Sequence, residues 1–207
     1  MTPTKINLGG GMHWSMEGWA NLDRASTGYD ISTQLLSPFT NESMDLVYSS
    51  HNIEHFPFTF APVYVGEIYR VLKRGGTVRM CIPDCDVMWE MLRDNDKSKL
   101  LYNTNYYVGE KASRDVLHDV RELFGWTADL NDPKFLVGTM HNAFFNKSII
   151  GVFLYNAGFR DIVFKDGPND SDIPDFKQES QFDGGKYISG FDNKPLGPIS
   201  LYVEATK

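Results

Sequence analysis

Seven residues near the start, Lys5-Ile6-Asn7-Leu8-Gly9-Gly10-Gly11, set the tightest limit on what this chain can fold into. Ile6 and Leu8 alternate with polar Lys5 and Asn7, the period of a β-strand, and three glycines follow at once. Glycine tolerates positive φ and has no Cβ, so the backbone can turn sharply there and lie against a flat or anionic ligand. In open α/β sheets ligands bind beyond the carboxyl ends of the strands, where strand order reverses. A glycine-rich surface turn has the same local composition, so the rest of the chain must decide between the two.

That rest reads as alternating strands and helices. Trp19-Ala20-Asn21-Leu22-Asp23 is a second short strand ending in an acid, and Tyr29-Asp30-Ile31 a candidate third strand end. Too few residues separate Gly11 from Trp19 for an ordinary crossover helix, which leaves either a helix reduced to a turn or an unusually tight connection. Met44 to Ser50 is apolar enough for a buried parallel strand. Pro62 to Lys73 reads as a helix with Val63, Ile68, Val71 and Leu72 on its apolar stripe, stopped by Gly75-Gly76. Thr77 to Ile82 is a further strand closed by Pro83-Asp84. Between Cys85 and Thr139 the pattern is less regular: Val87–Leu92 and Val116–Phe124 read as helices in an aromatic-rich insertion or lid. Asn146 is a good N-cap for a helix that ends at Gly158. Phe159–Phe164 and Ser200–Ala205 are strands, with a loop or flap over Pro168–Gly185. The order predicts one doubly wound α/β domain over residues 1–207: a mostly parallel, Rossmann-like sheet with an antiparallel C-terminal strand and a helical insertion at about 85–139.

Composition removes several function classes. The formal net charge is −7 and the 20 Lys and Arg residues form no block, so nucleic acid is not the expected partner. No apolar run approaches the ~18 residues of a membrane span, which predicts a soluble, cytoplasmic protein. Two cysteines, Cys81 and Cys85, are too few for a disulfide framework or a zinc knuckle.

Taken together the blocks resemble a family. Leu8-Gly9-Gly10-Gly11 with Gly18-Trp19-Ala20-Asn21-Leu22-Asp23 looks like the opening of a class I methyltransferase that uses S-adenosylmethionine, in a bacterial branch of the type 11 group. Ser43 to His55 resembles that family's fourth-strand block, and Glu67-Ile68-Tyr69-Arg70-Val71-Leu72-Lys73-Arg74-Gly75-Gly76 its helix exit. His141–Phe145 and Ala157-Gly158-Phe159 are similar to its C-terminal part. Gly10 stands where cysteine or another residue is usual and Arg74 where proline is. The resemblance implies methyl transfer from S-adenosylmethionine, leaving S-adenosylhomocysteine, to a small-molecule or carbohydrate-type acceptor. It also implies that Leu8, Gly9, Gly10 and Gly11 lie against the cofactor. Asp23 would accept from the ribose hydroxyls, as an acid does at that place in dinucleotide folds. Asp30 and Ile31 would flank adenine, and Ser49, Ser50 and His51 the methionine part. The oligomeric state is not legible.

Proton removal from an acceptor needs a nearby base, and histidine's pKa near 6.5 suits the task. His141, His51 and Asp84 are the candidates, with His141 first because the chain returns to the sheet there. His51-Asn52-Ile53-Glu54-His55 also matches the H-x-x-E-H pattern of inverted zinc peptidases. That chemistry needs both histidines on one stable helix, and Phe56-Pro57 leaves barely one turn, so no metal is expected on the His51–His55 pair. The rival readings are a non-catalytic module of this fold, a metal hydrolase, and a nicotinamide oxidoreductase. The last is disfavoured because the G-x-G-x-x-G spacing is missing.

Overall fold

The computed structural model describes residues 3–10, 16–24, 26–94, 141–167, 170–176 and 200–207. Six strands form one sheet in the order β2-β1-β3-β4-β6-β5. They are β1 (Lys5–Leu8), β2 (Trp19–Leu22), β3 (Met44–Ser50), β4 (Leu72–Pro83), β5 (Arg160–Lys165) and β6 (Ser200–Thr206). The first four pair in parallel, and β6 runs antiparallel to both β4 and β5. The expected mostly parallel sheet with an antiparallel end is therefore present. Strands β1 and β2 pair in parallel in register Lys5↔Trp19 to Leu8↔Leu22, and residues 11–15 of the connection between them lie outside the described residues.

Alternation along β3 sorts its side chains between two faces. Val47, on the face of Ile6 and Leu8, joins the main core under the helices α2 (Ala61–Val71) and α4 (Lys147–Ala157). Tyr48, on the opposite face, packs with Trp19 and Phe176. Helix α4 carries the expected ends: Asn146 Oδ1 accepts from Ile149 N at 2.9 Å, and Gly158 takes φ 110° at the C-cap. Helix α2 turns differently from expectation. Tyr64, Val65, Ile68 and Val71 are buried, Val63 is 44% exposed, and Leu72 already belongs to β4.

Tyr29-Asp30-Ile31 does not end a strand. Asp30 N-caps the short helix α1 (Ile31–Gln34), its Oδ1 accepting from Ser32 N at 2.9 Å and Ser32 Oγ at 2.6 Å. An aspartate two residues before a serine favours a cap over a strand, and that local bond wins here. Residues Cys85–Asp94 form helix α3, which holds the expected Val87–Leu92 helix. The Val116–Phe124 helix and the rest of the insertion lie outside the described residues, as does most of the Pro168–Gly185 loop.

Candidate active site

Strand order reverses around β1, since β2 lies on one side of it and β3 on the other. In open α/β sheets such a reversal marks the carboxyl ends of the flanking strands, here β1 and β3, as the place of the ligand crevice. Gly9 follows β1 with φ 78°, a left-handed turn that favours glycine, and its N–H donates to Leu22 O at 2.8 Å. A Cβ on Gly9 would collide with the Asn52 side chain, and one on Gly10 with those of Asn7 and Asn21. Part of the demand for glycine thus comes from a layer of asparagines packed under the loop. Asn7 Oδ1 in that layer is buried without a hydrogen-bond partner among the described residues. Leu8 is buried at 1% exposure in the core, and Gly11 lies outside the described residues.

Asp23 stands directly after β2 at the same edge of the sheet. Its Oδ1 accepts from Ser26 N at 3.0 Å and its carbonyl from Thr27 N at 2.9 Å, so it also holds the turn that follows. Asp30 sits beyond that turn with Arg24 Nε 4.0 Å from its Oδ2. Ile31 is 6% exposed and belongs to the main core, so at most its edge faces the crevice.

The end of β3 divides its residues between core and cleft. Ser49 is 1% exposed; its Oγ shares a hydrogen bond with Tyr64 Oη at 2.8 Å, and Tyr64 Oη donates to Asn52 Oδ1 at 2.8 Å. Ser50 is half-buried. His51 takes φ 45°, an unusual conformation for a side chain-bearing residue, and its N–H donates to Cys81 O at 2.9 Å. This kink turns the chain out of the sheet into a 3-10 turn, Ile53–His55.

That turn meets the returning chain. Asn142 N and Ala143 N donate to Glu54 O at 2.7 and 3.1 Å, and Asn142 Nδ2 donates to His55 O at 2.8 Å. Four titratable side chains are thereby brought together. His51 Nδ1 lies 3.3 Å from Glu54 Oε1, His141 Nε2 lies 4.0 Å from the same oxygen, and the His55 and His141 rings meet edge to face at 5.0 Å. His51 Nε2 is 3.1 Å from Ser200 Oγ. Glu54 is buried, and neither carboxylate oxygen has a hydrogen bond of full geometry among the described residues. Burial opposes charge on both Glu54 and His51. Around Glu54 the three histidines outweigh it and hold the carboxyl below its usual range; around His51 the neighbouring Cys81 and Glu54 raise the imidazole above its own.

Asp84 follows β4 and forms a parallel bridge with Phe145. It is 7% exposed, its Oδ1 accepts from Asp86 N at 3.0 Å, and burial raises its carboxyl pKa. Of the candidate bases, His51 and His141 share one cluster, and Asp84 borders the same return segment. In the sequence, Glu54 and His55 stand out only as part of a peptidase pattern. Nothing local marks Asn52, which packs against Gly9 and accepts from Tyr64 Oη across the fold.

A family model described as methyltransferase domain matches residues 27–80, about a quarter of the chain. No curated protein matches the chain. Among solved structures, an S-adenosylmethionine-dependent methyltransferase from Archaeoglobus fulgidus is similar with a TM-score of 0.51 and 14% identity, over 98% of this chain and 85% of that one. A possible histamine N-methyltransferase from Thermotoga maritima reaches 0.47 at 13% identity, over 98% and 81%. Phosphoethanolamine N-methyltransferase 2 from Haemonchus contortus reaches 0.46 at 13% identity, where this chain spans 48% of the neighbour's length. The first of these establishes the fold, that of class I methyltransferases. The resemblance read from sequence stands: a methyltransferase-domain match lies inside a class I methyltransferase fold.

Proposed function

We propose that this protein transfers the methyl group of S-adenosylmethionine to an oxygen or nitrogen of a small-molecule or carbohydrate-type acceptor, in the cytoplasm. The observation that carries the proposal is the left-handed turn at Gly9 beside Asp23, on adjacent strand ends at the point where strand order reverses. The domain match and the fold support the donor. Among the described residues no helix is long and apolar enough to cross a membrane.

The residues suit the donor. Gly9 and Gly10 offer backbone without Cβ, and Asn7 Oδ1 beneath them is a buried acceptor with no hydrogen-bond partner among the described residues. When bound, S-adenosylmethionine supplies a methyl group on a positively charged sulfur. The loop from Leu8 through Gly11 would lie against it, Asp23 would accept from its ribose, and Asp30 with the edge of Ile31 would meet its adenine. Ser50 and His51 would border its methionine part, with Ser49 holding Tyr64 behind them. The chain's contribution to rate is alignment and removal of the acceptor proton. His141, on the return segment, is the acceptor-side residue, with His51 and Asp84 as the other groups able to hold a proton there.

Calorimetry with S-adenosylhomocysteine tests the donor side, with a micromolar Kd expected. Asp23→Ala should weaken binding by about 1.5–3 kcal/mol, the range for a lost hydrogen bond to a charged group, while His141→Ala changes it less than about twofold. No heat at millimolar ligand sinks the proposal. Unchanged affinity with a collapsed melting temperature in Asp23→Ala would make that residue a turn cap alone.

A further inference from the structure

We propose that Glu54, His55 and His141 form a binding site for one divalent first-row transition-metal ion, of the zinc, cobalt, iron(II) or manganese kind. Their donor atoms all lie within 4.8 Å of one another, although they come from a 3-10 turn and from a segment distant in sequence. Two imidazole nitrogens and one carboxylate are the donor set of many open metal sites, in which three protein ligands leave a position for a further molecule. Oxygen-only cations such as calcium and magnesium are not what two imidazoles select.

A second observation points to the same ligand. Glu54 is 1% exposed, and both oxygens lack a full hydrogen bond among the described residues. A buried carboxylate normally has its lone pairs engaged, because leaving them empty costs several kcal/mol. The backbone cannot move this carboxylate into solvent, since Glu54 O is pinned by Asn142 N and Ala143 N. His51 Nδ1, at 3.3 Å from Oε1, is placed to orient the carboxylate from behind, and Ser200 Oγ in turn orients His51. Ligand-orienting contacts of this kind recur around metal sites. Even with His51 beside Oε1, the carboxylate keeps lone pairs to offer an ion.

The distances need modest closure. Donors about 2.1 Å from a tetrahedral ion stand about 3.4 Å apart. His141 Nε2 is at 4.0 Å from Glu54 Oε1 and all three donors lie within 4.8 Å of one another, so the closure needed is on the order of 1 Å, a distance within reach of side-chain rotation. The set differs from the inverted peptidase pattern weighed from sequence, because His51 orients here and His141 supplies the third donor. A nitrogen that ligates an ion is unavailable as a base, so occupancy changes His141 from proton acceptor to ligand. With three protein ligands, a bound ion would keep a coordination position for a further molecule.

The test is metal titration of the full chain after chelator treatment and dialysis. Cobalt(II) should bind at one equivalent with visible d–d bands of a nitrogen- and oxygen-ligated ion, and zinc(II) should compete it out. Glu54→Gln and His141→Ala should each weaken binding at least about a hundredfold, and His51→Gln about tenfold. His141→Gln replaces His141→Ala if the latter fails to fold by circular dichroism. Absence of one-equivalent binding overturns the proposal, as does binding that survives both Glu54→Gln and His141→Gln. S-adenosylhomocysteine calorimetry on the same samples separates the two readings. Donor binding without metal removes only the ion, and metal without donor binding removes only the methyl-transfer reading.

Discussion

Two glutamates in neighbouring blocks of the chain, Glu67 and Glu54, show opposite treatments of a carboxylate. Glu67 has every strong site engaged: Oε1 accepts from Arg70 Nε at 2.8 Å, and Oε2 from Arg70 Nη2 and Leu36 N, both at 2.9 Å. Arg70 is equally saturated. Its Nη2 also reaches Leu36 O, and its Nη1 reaches Phe39 O and Asn41 Oδ1, so all five N–H donors have partners. The pair clamps the connection between α1 and β3 onto helix α2. Glu54 is more deeply buried and has no such completion among the described residues. A saturated charge stabilises a fold, whereas a buried, half-satisfied one costs stability and is tolerated where it serves a ligand or a reaction.

The largest test of this contrast is Arg70→Ala. It removes five hydrogen bonds and leaves the Glu67 carboxylate without its cation; with Arg70 29% exposed, solvent screening holds the loss to about 3 kcal/mol. Urea unfolding followed by fluorescence measures it. A loss below 1 kcal/mol would break the clamp.

Next in size is Glu67→Gln, expected to cost about 1–2 kcal/mol at neutral pH. The Arg70 hydrogen bonds, against the opposing effect of burial, hold the Glu67 carboxyl below its ordinary 4.5. A depressed folded pKa contributes stability that is present above the unfolded value and lost as pH falls through the folded one. The gap between wild type and Glu67→Gln should therefore be constant above about pH 5 and shrink below 4.5. A gap that widens in acid would contradict the assignment.

The last effect belongs to the more buried residue. Glu54→Gln takes the anion away from the histidines around it, yet its oxygens have no full hydrogen bonds to lose among the described residues, so the chelated protein should lose less stability than in Arg70→Ala. If it costs as much as Arg70→Ala, Glu54 is a structural acid like Glu67 and the contrast collapses.

Features governed by neighbours in sequence were legible before the structure. Met44–Ser50 and Thr77–Ile82 are mostly apolar runs, and Asn146 and Gly158 carry their own capping geometry. At Asp30 two local rules competed, and the Asp30–Ser32 cap overrode a short apolar strand pattern. Val63 reads from sequence as part of the apolar stripe, yet it stands five residues, about 140° of helix face, from Ile68 and so lies off the buried side. The candidate site is legible by parts: Gly9, Asp23 and the histidines stand out as residue types. Their grouping did not, since Glu54 and His141 meet only through backbone bonds between segments far apart in sequence. Ser49 looked like a cleft residue, yet its hydroxyl turns inward to Tyr64, a choice set by tertiary packing.

The strand order carries a consequence for synthesis. Strand β6 is made after β5 but lies between β4 and β5. Until residues 200–206 emerge from the ribosome, β4 presents an open edge and β5 has no partner to zip against. The nascent chain must hold two unpaired edges through the making of everything between them, a state prone to wrong pairings. Chains stalled before Ser200 should therefore aggregate rather than fold, and a holding chaperone should favour them over the released protein.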